Sequence, residues 1–126
     1  MTPERLNEFF ACWNARDYER LAGFLTPDCV FHPSVGPEVV GRTVRGREAI
    51  KQLASSIWQL HPDGSYVDVR SFVAGPLAAS EWQIEWPAAD GSPQRIAGCD
   101  TFELDGELIA RINGFRKVKA PAPDAS

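Results

Sequence analysis

Apolar residues recur at three- and four-residue intervals through the first half of the chain and at every second position through the rest, so a helical half precedes a strand half. Leu6, Phe9, Phe10 and Trp13 form one stripe opposite Arg5, Glu8 and Arg16. Thr2 is placed to cap this first helix, with Pro3 at its first position and Glu4 in its first turn. Asn14 to Asp17 break the pattern, and Asp17 caps a short second helix whose stripe is Leu21, Phe24 and Leu25, ended by Thr26-Pro27. Cys29 to His32 read as a short strand, followed by a Pro- and Gly-rich loop from Pro33 to Gly41. Val44 to Glu48 lead into a third helix with Ile50, Leu53, Ala54, Ile57 and Trp58 on one face, ended by His61-Pro62-Asp63-Gly64.

After Gly64 four strand-length runs follow: Tyr66 to Ala74, Ala78 to Trp86, Arg95 to Leu104 and Leu108 to Val118. Asp105-Gly106 is a hairpin signal between the last two. In the second run Trp82, Ile84 and Trp86 share one face and Glu81, Gln83 and Glu85 the other, so the aromatic face is expected to meet the helices. Helices followed by consecutive antiparallel strands define an α+β layer fold. Bulky inward aromatics require the sheet to twist and curl around the helices, which predicts a pocket between the layers. The expectation is one domain over residues 1–118, with residues 119–126 a tail too poor in apolar side chains to order itself.

Composition narrows the function. A chain of 126 residues holds one core, burying about two thirds of its surface. No run approaches the ~20 apolar residues of a membrane span, and no basic-then-apolar leader is visible, so a cytoplasmic location with no membrane role is expected. A net charge of -4 with scattered arginines offers no stripe for a nucleic-acid backbone. Cys12, Cys29 and Cys99 are odd in number and lack paired spacing, which indicates neither a disulfide framework nor a metal site.

Two polar residues stand out. His32 precedes a proline, which holds its backbone extended and so aims the imidazole from a strand end. Asp100 lies between Gly98 and Phe102 on an otherwise apolar run, where it is either paired with Arg95 or Arg111 or kept for function. Cys99, of opposite parity, points away from it. Trp13, Trp58, Trp82, Trp86 and Phe102 are core aromatics that would also line a cavity. Arg111 and Asn113 share a face with Ile109 and Phe115; on the inner face Asn113 and Phe115 would join the ligand-contacting set, on the outer one they are solvated. His61 reads as a helix-terminal group, and Tyr18 and Tyr66 as ligand donors or surface residues.

The order of these elements resembles the nuclear-transport-factor-2-like superfamily, which contains ketosteroid isomerases and SnoaL-like polyketide cyclases. The residues that carry the resemblance are Arg16-Asp17, Pro27-Asp28, Val30-Phe31-His32-Pro33, Val44 to Ile50, His61-Pro62-Asp63, and Gly98-Cys99-Asp100 ahead of Asp105-Gly106. The resemblance implies a conical α+β barrel around an apolar cavity, no cofactor and no metal, and often a homodimer through the outer sheet face. It matches His32 to the general-base position of the isomerases, a role an imidazole can fill near neutrality. Asp100 matches both their oxyanion-donating aspartate and the base of the cyclases. The first-helix tyrosine of the isomerases has no counterpart among Phe9, Phe10 and Trp13. The expected function is a cofactor-free acid/base enzyme, of isomerase, cyclase or lyase type, acting on a small, largely apolar carbonyl compound. The alternative is a non-catalytic ligand-binding or dimerisation module of the same fold.

Overall fold

The computed structural model describes residues 1–121. Its elements run α1 (Pro3–Ala15), α2 (Tyr18–Ala22), β1 (Leu25–His32), β2 (Val44–Arg45), α3 (Arg47–Leu60), β3 (Ser65–Ala74), β4 (Leu77–Pro87), β5 (Pro93–Asp105) and β6 (Leu108–Arg116). Thr2 caps α1, its hydroxyl accepting from the Arg5 N–H at 3.1 Å, and Asp17 caps α2, accepting from the Arg20 N–H at 3.2 Å. The second helix is shorter than its stripe predicts. Leu21, Phe24 and Leu25 suit a helix face and a buried strand start equally well, and pairing decides between them: the Ile109 N–H donates to the Phe24 carbonyl and Leu25 enters β1 beside β6.

The six strands lie in the order β2-β1-β6-β5-β4-β3, antiparallel throughout except for the parallel β1–β6 pair, and the sheet is curled but not closed. The two-residue β2, too short to carry a periodicity, was not foreseen. One bulge sets Asp68 and Val69 against Trp82, with Asp68 in the left-handed region at φ 54°. A second leaves Ala110 unpaired between Ile109 and Arg111. Each bulge adds local twist, which bends the long strands around the helices.

The inner face carries Ala78, Ser80 and Trp82 from β4, Asp100 and Phe102 from β5, and Ile109 and Ile112 from β6. Against it pack Leu6, Phe9, Phe10 and Trp13 of α1 and Ile50, Ala54 and Trp58 of α3. Two side chains at the end of α1 hold the layers in register. Asn14 bonds both ways to the Tyr66 backbone, donating to its carbonyl at 2.9 Å and accepting from its N–H at 2.7 Å. Arg16 donates to the Pro62 and Gly64 carbonyls at 2.8 Å while its guanidinium lies over the Trp58 ring.

Lys119 to Pro121 are exposed and without regular structure; the rest of the expected tail lies outside the described residues. Among the described residues no helix is long and apolar enough to cross a membrane. The Trp82 indole packs against Gly98, where an added Cβ would collide with it and come within 2.6 Å of the Phe115 carbonyl oxygen. Gly98→Ala is therefore expected to lower stability by about 1–3 kcal/mol, measured by urea unfolding, with a change in tryptophan emission as the indole is displaced.

Candidate functional site

Strand alternation sets Asp100 on the inner face in the middle of β5, opposite Ser80 of β4 and Gly114 of β6 and two residues after Gly98. All three neighbours are small, and the Trp82 indole and the Asp100 carboxyl itself fill the space that Gly98 and Gly114 leave. A Cβ on Gly114 would lie 3.1 Å from Asp100 Oδ1. Asp100 is 5% exposed, and burial lifts its carboxyl from 3.8 to about 7. The Trp82 N–H opposes that rise as a hydrogen-bond donor to the carboxyl, in looser than regular hydrogen-bond geometry. Among the described residues no cation balances the charge. Arg95 lies on the outer face with Glu85 at 2.8 Å and Asp68 at 3.4 Å, and Arg111 pairs there with Glu103 at 3.6 Å. Neither salt bridge considered for Asp100 is formed.

Rings cover the carboxyl. Tyr66 on β3 packs edge to face against Phe10, Trp13, Trp58 and Trp82, with centroids 5.1 to 5.8 Å away. Burial, and then the Asp100 charge, push the Tyr66 hydroxyl well above its ordinary range, so it stays a neutral donor. Sequence reading left Tyr66 open between ligand donor and surface. Its register with Ile84, a residue already assigned to the inner face, is the signal that would have placed it.

The structure does not bring His32 to Asp100. The β1–β6 register pairs Phe31 with Ile112 and His32 with Asn113, so the imidazole leaves on the face opposite Ile112 and Asp100. It is buried under the loop that follows, with Nδ1 3.1 Å from the Arg42 carbonyl oxygen and 3.3 Å from Thr43 Oγ1, whose hydroxyl donates to Glu38 at 2.9 Å. Trp13, Trp58, Trp82 and Phe102 sit in the inner aromatic layer, while Trp86 stands half-buried near His61, ring centroids 5.4 Å apart.

Asn113 and Phe115 do not line the inner layer. The bulge at Ala110 breaks the alternation, sending Ile109 inward against Leu104 and leaving Arg111, Asn113 and Phe115 outward beside Glu103, Thr101 and Cys99. The outer face carries a recess of about 480 Å³ flanked by Glu81, Gln83, Ala97, Cys99 and Phe115. Among the described residues no cluster of three or more His, Cys, Asp or Glu side chains is arranged to hold a metal ion.

A curled, open sheet capped by helices, with one unpaired carboxyl beneath aromatic rings, defines a domain of the nuclear-transport-factor-2-like cone fold. Within that fold, the chain belongs to the SnoaL-like domain family, whose model matches residues 6–112. Among solved structures it resembles a nuclear-transport-factor-2-like protein of unknown function from Mesorhizobium loti, at 27% identity and TM-score 0.73 over 91% of this chain and 89% of that one. It also resembles a candidate ketosteroid isomerase from Kribbella flavida, at 21% identity and TM-score 0.75 over 98% and 82%. A candidate polyketide cyclase from Pseudomonas putida KT2440 matches at 19% identity and TM-score 0.71 over 94% and 93%. No curated protein matches the sequence significantly.

Because the folded carboxyl titrates above its unfolded value, the stability it contributes is complete below about pH 4 and is lost as pH rises through about 7. Asp100→Asn should remove that dependence. Urea midpoints are expected to put the variant above the parent by about 2–4 kcal/mol near pH 8 and level with it near pH 4.

Proposed function

We propose that the protein is a cofactor-independent acid/base enzyme of the isomerase, cyclase or lyase kind, acting on a small, largely apolar carbonyl compound, with Asp100 taking and returning the proton. The observation that supports this most directly is the Asp100 carboxyl itself: buried, without a cation, and brought to about 7, the range where a group gives up and recovers a proton with equal ease. The family resemblance matches its place on β5 most nearly to that of the base in SnoaL-like cyclases. His32 has no part in this reading, because its imidazole leaves the opposite face of the sheet. Trp13, Trp58 and Phe102 keep water from the reacting centre.

A second reading, a non-catalytic binding or dimerisation module, is favoured by the close edge-to-face packing of the same rings and by the exposed Phe72, Leu77 and Phe115 on the outer face. On either reading that outer face is proposed to meet a second copy of the chain. Sedimentation should then report a dimer that Phe115→Lys dissociates.

Deuterium uptake from heavy water into a panel of enolisable apolar ketones separates the two readings. The enzyme reading expects exchange that Asp100→Asn lowers at least about 100-fold. A base must be ionised to act, so the parent rate should climb with pH through about 7 and then level off. No exchange with any ketone, from a protein that still binds them, would leave the module.

A further inference from the structure

Ser80 is 0% exposed on the inner face, directly opposite Asp100. The register sets Ser71 of β3 opposite Ser80 in turn, so a carboxyl and two hydroxyls form one row across three adjacent strands. Ser80 Oγ lies 2.7 Å from Ser71 Oγ, and the Ser71 hydroxyl donates to Asn7 Oδ1 of α1 at 2.6 Å. Ser71 has one hydroxyl hydrogen and gives it to Asn7, so the hydrogen between the two serines comes from Ser80. That settles the polarity of the row: the Ser80 O–H is turned to Ser71, and its oxygen is left able to accept. Packing alone does not call for a hydroxyl at this position, since Ala78, two residues away on the same face, fills its place without one. The row also has an outlet. Ser71 is half-buried and Asn7 exposed, whereas above Asp100 the rings of Phe10, Trp13, Trp58 and Trp82 close on Tyr66.

We propose that Ser80 and Ser71 are the route by which the Asp100 proton exchanges with water. Residues directly opposite on one sheet face have Cβ atoms about 4.5–5.5 Å apart, a span that a carboxyl and a hydroxyl close by turning toward each other. In the step, the Asp100 O–H breaks toward Ser80 Oγ, the Ser80 hydrogen passes to Ser71 Oγ, and Ser71, turning from Asn7, releases its own to a water molecule. Each hydroxyl ends with one hydrogen, and the net change is one proton from carboxyl to solvent. The reverse sequence returns it. The inference goes beyond the acid/base reading: it concerns how a covered carboxyl is reset, and it holds whether or not a reaction follows.

With ¹³C-labelled aspartate, the carboxyl resonance missing from Asp100→Asn reports both the titration midpoint and the rate of proton exchange near pH 7. Ser80→Ala and Ser71→Ala should each slow that exchange at least about 10-fold, broadening or splitting the resonance, and leave the midpoint in place. Ser71→Thr, which keeps a hydroxyl, should hold the parent rate. Tyr66→Phe, which removes the other hydroxyl that feels the Asp100 charge, should not slow it. Ser71→Ala, at the margin of the layer, carries the test if Ser80→Ala unfolds. Unchanged exchange in the serine variants would overturn the proposal. So would slowing confined to Tyr66→Phe, or a moved midpoint that accounts for the change in rate. Serine-independent exchange would leave the acid/base reading standing; serine-dependent exchange in a protein inert toward every ketone would sink that reading and leave the route.

Discussion

The architecture turns on keeping one carboxyl out of water without giving it a cation. Desolvating an ionised carboxylate is expensive, and proteins ordinarily offset the expense with a salt bridge or a set of backbone donors. Asp100 has neither, and the consequence is the displaced titration that burial produces. Everything that surrounds it therefore has to be stable on other grounds. The aromatic layer from Phe9 to Phe102 supplies apolar burial, and Asn14 and Arg16 fasten the end of α1 to the strand and loop that carry Tyr66. These polar clamps sit at the margin of the core, where their own bonds are completed by backbone groups and need no partner from the inner face.

Curvature decides which residues share that interior. A flat sheet would keep a strict alternation along each strand, and on β6 that alternation would put Ile109 together with Asn113 and Phe115. One extra residue at Ala110 reverses the parity, so the end of the strand near Leu104 buries Ile109 while the remainder sends its odd positions outward. The bulge at Asp68 does the corresponding thing on β3, setting two residues, Asp68 and Val69, against Trp82. The separation of a charged and partly apolar outer face from an inner face with one carboxyl follows from these two insertions as much as from the residue types.

This explains why the sequence is informative in some places and silent in others. The β4 alternation is unbroken, and the assignment of Trp82, Ile84 and Trp86 to one face and Glu81, Gln83 and Glu85 to the other could be made from residue type alone. Asp100 was legible for the same reason, being a charged residue on the apolar side of a regular run. His32 was not, because the parity of a four-residue run beside a loop cannot be fixed without knowing which strand it joins, and its partner β6 lies some eighty residues further along the chain. Tyr66 begins a strand and belongs to either face until its partner on β4 is known. The loose approach of the Trp82 N–H to Asp100 has no sequence signature at all: hydrogen-bond geometry is a property of the packed state.

The electrostatics of the interior also bear on what sort of molecule could be handled there. The arginines nearest the core are committed elsewhere: Arg5 over the Phe24 ring, Arg16 to three backbone carbonyls and the Trp58 ring, Arg47 to the Leu25 carbonyl. An anionic ligand brought beside Asp100 would meet a second negative charge in a medium that screens poorly, and no described cation stands ready to compensate it. A neutral ligand suffers no such repulsion. The balance of charge beside Asp100 therefore favours a neutral ligand over an anionic one.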